Sequence, residues 1–81
     1  MEMTYKTKGV CAREIYIKVN DEGIIEDVKF NGGCNGNTQG VAKLCIGRHK
    51  DEVIQCIEGI RCRNKPTSCP DQLAKALKEI E

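Results

Sequence analysis

Tryptophan is absent, and Tyr5, Tyr16 and Phe30 are the only aromatic side chains, so platforms on which nucleic-acid bases could stack are scarce. An excess of one charge is missing too. Thirteen Lys and Arg stand against 12 Asp and Glu, in no long block, which argues against an electrostatically held nucleic acid or membrane surface. No apolar stretch is long enough to span a bilayer and none reads as an export signal. No nucleic-acid partner, no membrane partner and a cytoplasmic location are therefore expected. There is no Cys-x-x-Cys pair, which removes the local signature of a zinc knuckle or a thioredoxin-like motif. A Ser-His-acid order is lacking, as is a cysteine with a nearby histidine and amide partner, so no hydrolase constellation is offered.

What the chain does have is cysteine, six in 81 residues. A chain of this length is expected to form one domain over residues 1–81, and such a domain buries only about 60% of its unfolded surface. A metal, a disulfide or a second subunit would add to its stability. Without an export signal the reducing cytosol is the expected compartment. The thiols are then metal ligands, redox groups or core residues.

Alternation of apolar and polar residues predicts an edge strand over Met3–Thr7, closed by Gly9, and a turn or bulge at Val10-Cys11-Ala12. The clearest strand runs from Glu14 to Asn20, with Ile15, Ile17 and Val19 on one face. Asn20-Asp21-Glu22-Gly23 has hairpin chemistry. The return strand spans Ile24 to Phe30, with Ile24, Val28 and Phe30 expected on the inner face. Asn31-Gly32-Gly33 breaks it. Asn35 or Asn37 then caps a helix with Val41, Leu44 and Cys45 as its apolar positions and Gly47 just past its end. A second helix is expected from Lys50 to Glu58, with Val53, Ile54 and Ile57 at helical spacing and Gly59 as its stop. The last helix starts with Ser68 or Cys69 as cap and Pro70 at its first position. Leu73, Ala74, Leu77 and Ile80 form its stripe. The expected class is α+β: a three-stranded antiparallel sheet followed by about three helices packed on one face.

The cysteines divide on this frame. Cys45 and Cys56 fall among apolar helix positions, and packing is the better reading of both. Cys34 and Cys69 each stand where a probable helix begins, and a helix amino terminus favours the thiolate that a metal or an electrophile requires. A plainer reading makes Cys69 a weak cap and Cys34 a filler beside Gly33. Cys11 and Cys62 could each complete a three- or four-thiolate site, since zinc and iron–sulfur clusters take such ligands. Cys62 reads equally well as an exposed loop thiol. His49, the only imidazole, sits in a helix connection, where a solvated polar residue is the default. Gly32 to Thr38 faintly resembles a phosphate loop but lacks the Gly-Lys-Ser/Thr ending.

The run Thr67-Ser68-Cys69-Pro70-Asp71-Gln72-Leu73-Ala74-Lys75-Ala76-Leu77, with Gly32 to Gly40 and Gly59-Ile60-Arg61-Cys62 before it, resembles the TSCPD domain family. That resemblance implies a cytosolic bacterial protein and a link to ribonucleotide reductase, because related domains occur at the carboxyl end of adenosylcobalamin-dependent forms of that enzyme. A more distant resemblance, carried by Gly9-Val10-Cys11, Ile15 to Val19, Gly23 to Phe30, Gly33-Cys34 and Cys69, is to NifU/IscU-like iron–sulfur scaffolds. It implies that Cys11, Cys34 and Cys69 are three ligands at one end of the sheet. The scaffolds carry an acid where Arg13 stands and a histidine where Ser68 stands. Cys62 would here add a fourth thiolate and favour a closed site.

Three functions follow as expectations. The first is a zinc or iron–sulfur binding module with Cys11, Cys34, Cys69 and Cys62 as metal ligands and no catalysis of its own. The second is an accessory domain of ribonucleotide reductase, acting through a Cys62/Cys69 thiol pair or by docking. The third is a small homodimer whose cysteines are mostly core. Ribonucleotide reduction by the chain alone is not expected, because so few residues do not house a radical-cofactor pocket.

Overall fold

The computed structural model describes residues 1–8, 12–32, 35–61 and 66–80, with the side chains of residues 35–37 left out of the description. Three strands come first, β1 (Glu2–Lys6), β2 (Ala12–Val19) and β3 (Ile25–Gly32). Three helices follow, α1 (Asn35–Cys45), α2 (Lys50–Ile57) and α3 (Cys69–Lys78). The sheet is antiparallel in the order β1-β2-β3, so the expected α+β arrangement is the observed one.

β2 is the central strand, and its alternation decides which face the helices cover. Ile15, Ile17 and Val19 are buried, and they share one cluster with Ala42 and Cys45 of α1, Val53 of α2, and Leu73, Ala76 and Leu77 of α3. Met3 and Tyr5 of β1 and Phe30 of β3 pack at its margin. On the other face Tyr16 donates a hydrogen bond to Glu2, and this contact pushes the phenol up to about 12.

Two register shifts interrupt the β2–β3 ladder. Ala12 pairs with Gly32 while Glu14 pairs with Asn31, which leaves Arg13 as the extra residue; Lys18 pairs with Asp27 while Val19 pairs with Ile25, which leaves Glu26 extra. Each bulge reverses the facing of whatever lies beyond it. Ala12 is buried although it is an odd number of residues from Ile15, and Ile25 is buried although it is an odd number from Val28. The inner face of β3 is therefore Ile25 and Val28 with Phe30 half-buried, and not Ile24, which is half-buried and bridges to His49. The same bulge mechanism places Ala12 inside β2, where a turn or bulge was expected.

Two apolar helix positions also differ from expectation. Leu44 is 70% exposed, because α1 turns Thr38, Ala42 and Cys45 toward the sheet and these smaller side chains let the helix approach β3. Cys56 is exposed. In α2 the buried side is centred between Val53 and Ile57 and extends to Ile54, and Cys56 lies off its opposite margin. Cys45 is buried as expected.

The connection from α1 to α2 lies against the start of β3. Gly47 N donates to Ile25 O at 2.8 Å, Ile25 N to Arg48 O at 2.9 Å, and Lys50 N to Gly23 O at 2.8 Å. His49 is the amino cap of α2, its Nδ1 accepting from Asp51 N at 3.1 Å. Gly23, at φ +83°, closes the hairpin against this ring, and a Cβ there would lie 2.6 Å from His49 Nε2. Gly47, at φ +87°, has open space around it. Gly23→Ala is expected to destabilise the protein by about 2–3 kcal/mol, from left-handed strain plus a displaced cap. Gly47→Ala should cost only about 1–2 kcal/mol from the strain alone. Urea denaturation compares them, and equal losses would contradict the His49 contact.

Candidate functional site

The run Thr67-Ser68-Cys69-Pro70-Asp71-Gln72 is where the sequence leaves an irregular segment and enters α3, and its polar side chains are buried. Ser68 caps the helix, its Oγ accepting from Asp71 N at 3.2 Å and donating to Ile60 O at 2.5 Å. Pro70 lies in the first turn, where a missing N–H costs nothing. Asp71 is an acid in the first turn of the helix, where the dipole favours a negative charge, and it is buried. Its carboxylate turns inward: Gly59 N donates to Oδ1 at 2.7 Å and Thr67 Oγ1 to Oδ2 at 2.5 Å. Gln72 Nε2 donates to Thr67 Oγ1 at 2.9 Å, and Gln72 Oε1 accepts from Lys8 N at 3.1 Å. Lys75, half-exposed one turn on, brings Nζ to 3.7 Å from Asp71 Oδ2.

Burial by itself would raise the Asp71 carboxyl, but the Thr67 hydroxyl, the Gly59 amide and the Lys75 ammonium together hold it below its ordinary value. No buried side-chain nitrogen or oxygen among the described residues lacks a partner. A buried carboxylate is tolerable on that condition alone.

Cys69 is the first residue of α3, a half-buried free thiol inside this network. Cys11, Cys34 and Cys62 lie outside the described residues, but their sequence neighbours are placed. Ala12, directly after Cys11, pairs with Gly32, two residues before Cys34. Thr7 N donates to Arg13 O at 3.1 Å and Thr7 Oγ1 to Ala12 O, and Lys8 is held by Gln72. Ile60, two residues before Cys62, accepts from Ser68. These flanking residues meet at one end of the sheet. His49 is at the opposite, hairpin end beside Gly23. Among the described residues no group of three or more His, Cys, Asp or Glu side chains is arranged to hold a metal ion. No helix among them is long and apolar enough to cross a membrane.

The polar network coincides with the most distinctive stretch of the sequence, and comparison with protein families decides what that stretch marks: the family model described as TSCPD domain matches residues 3–81. The chain belongs to the TSCPD domain family. The letters of that name spell the run Thr67 to Asp71, which supplies three of the four buried polar side chains of the network, Thr67, Ser68 and Asp71. TSCPD domains are known from a ribonucleotide reductase context. Comparison with curated proteins and with solved structures gives no significant match.

Thr67, Gln72 and the inward Asp71 were not legible as site residues. The available signal was Gln72 beside the buried stripe that begins at Leu73, a polar residue where the helix faces the core.

Cys45 and Cys56 line a separate groove between α1 and α2, with Val41, Leu44, Arg48 and Val53. Burial pushes the Cys45 thiol up, partly offset by Arg48. Peptide-resolved alkylation of the native protein at neutral pH is expected to modify Cys56 well before Cys45, and equal rates would contradict this placement.

Asp71→Asn is expected to lower stability by about 1–3 kcal/mol at pH 7, because an amide offers Thr67 a donor where an acceptor is needed. The sign of the pH dependence follows from a depressed folded-state value. The carboxylate's contribution is complete above the ordinary value of about 4 and is lost as the pH falls below it. Urea midpoints of the two proteins should therefore converge between pH 5 and pH 3, both set by the experimenter around that value. A gap that widens on acidification would refute the assignment.

Proposed function

We propose that this TSCPD domain is a metal-binding module without catalysis of its own, in which Cys11, Cys34 and Cys69, with Cys62 as a fourth ligand, hold zinc or an iron–sulfur cluster. One observation carries the reading. The Lys8–Gln72 hydrogen bond ties the segment that leads into Cys11 to the helix turn that begins at Cys69, at the end of the sheet where Ala12 meets Gly32. The donor set fits this cargo, since four thiolates suit tetrahedral zinc and are the usual ligands of iron–sulfur clusters. A bound ion cross-links segments far apart in sequence and adds its binding free energy to folding, which a small core needs. The chain's own part is to bring the thiols together.

The family's ribonucleotide reductase context favours a second reading, that of an accessory domain for that enzyme. Cys69 is a free thiol, and Cys62 lies seven residues before it. Attack by one thiolate on an enzyme disulfide, followed by displacement by the other, would transfer two electrons and leave a Cys62–Cys69 disulfide.

Protein purified without oxygen should contain stoichiometric zinc, or iron with visible sulfur-to-iron absorption, and Cys69→Ser should lose it. A colourless, metal-free protein whose melting temperature ignores added zinc and iron would overturn the first reading. If Cys62→Ser and Cys69→Ser leave both the thiol titration against a dithiol reductant and reductase turnover unchanged, the second is overturned.

A further inference from the structure

α1 packs on β3 and α2 on α3, so the two helices are held by different neighbours, and an apolar groove of about 250 Å³ lies between them. Its most buried lining side chains are Cys45 and Val53, with half-buried Val41 and Ile57 beside them. Leu44 belongs to the same lining and is 70% exposed. Exposed leucines scattered singly are ordinary, but one that adjoins an unfilled apolar groove enlarges a contiguous patch. This face thus offers both an apolar knob and an apolar hole.

The charges on the face are matched in the same way. Arg48 Nε donates to Leu44 O at 2.9 Å, and Nη1 donates to Glu52 Oε1 at 2.6 Å. One cation and one anion of the groove lining are thereby held side by side, with side chains 51% and 53% exposed. A guanidinium has more donors, and a carboxylate more acceptor sites, than these contacts use. Each therefore retains capacity for a counterpart on another molecule. Thirteen basic side chains against 12 acidic ones leave a net charge of only +1, so copies of the chain do not repel one another at a distance. A knob with its hole and a cation with its anion, all in one patch, suit a two-fold contact, in which each surface meets its own copy. A foreign partner would require only one member of each pair.

We propose that the α1–α2 groove is a self-association face for a second copy of this chain. Leu44 of each copy enters the groove of the other, and Arg48 of each meets the partner's Glu52. The face uses none of the proposed metal ligands, so it stands or falls independently of the metal-binding reading. A patch of this size belongs at the small end of protein interfaces, and the dimer is expected to exchange with monomer in the micromolar range.

Sedimentation velocity of the full chain, in reductant so that exposed Cys56 forms no intermolecular disulfide, tests this across the micromolar range. The wild-type chain is expected to show a monomer–dimer equilibrium. Leu44→Glu alters a side chain already in water and should weaken association by more than about tenfold, with the far-ultraviolet circular dichroism unchanged. Arg48→Glu and Glu52→Arg each make the face one-signed and should be monomeric alone, whereas an equimolar mixture of the two should recover the dimer. Alkylation of Cys56, which lines the groove, should slow as the wild-type concentration rises, but not in Leu44→Glu. A wild-type chain that stays monomeric up to millimolar concentration overturns the proposal. So does a Leu44→Glu chain that still dimerises, which would put the contact elsewhere. If the mixture of charge variants fails to recover the dimer, the pairing of Arg48 with the partner's Glu52 is overturned. A monomeric wild-type chain whose Cys56 is protected by an added amphipathic helical peptide would assign the groove to a different protein and equally overturn self-association.

Discussion

The constraint on which the junction between α2 and α3 depends is the desolvation of one carboxylate. Asp71 lies in the first turn of α3 and is almost wholly removed from water, a state that a carboxylate tolerates only when its oxygens are filled by donors. The Gly59 amide and the Thr67 hydroxyl fill them. To supply those donors, Gly59 just past the end of α2 must lie against the first turn of α3, and Thr67 also accepts from Gln72. One expensive burial thus ties the end of α2 at Gly59 to the start of α3. Ser68 adds a second tie to the same neighbour through Ile60.

The sheet delivers the other segments by a different device. Two bulges in β2–β3 turn Ala12 and Ile25 into the core, which tightens both ends of the central pair around the helices. The bulge at Arg13 lies two residues past Cys11 in sequence. Arg13 is the exposed extra residue of that bulge.

Periodicity was a sound guide where a strand or helix had one plain apolar face. The β2 core residues and the α3 stripe follow from it, while the hairpin at Gly23 and the glycine stops at 47 and 59 follow from turn and capping chemistry. It failed at Ile24 because period-two counting assumes an uninterrupted ladder, and nothing local announces an extra residue at Glu26. Leu44 and Cys56 misled for another reason: size and hydropathy suggested burial, whereas close approach of α1 to β3 favours Ala42 and Thr38. The polar clasp was hidden because pattern reading assigns Asp and Gln to solvent. A buried network is a three-body fact among Gly59, Thr67 and the α3 turn, and no window of adjacent residues contains it. The cysteines were legible as a class; of the four candidate ligands Cys69 is the one among the described residues, at the start of α3.

The α1–α2 connection has a consequence for how the sheet meets other chains. By pairing Gly47, Arg48 and Lys50 with Gly23 and Ile25 it lays a short false strand along the hairpin end of β3, so that part of this edge is already occupied. The opposite edge is β1, only five residues long and carrying exposed Glu2, Thr4 and Lys6. Short, charged edges resist strand-to-strand addition. Association built by extending the sheet is thereby discouraged on both sides.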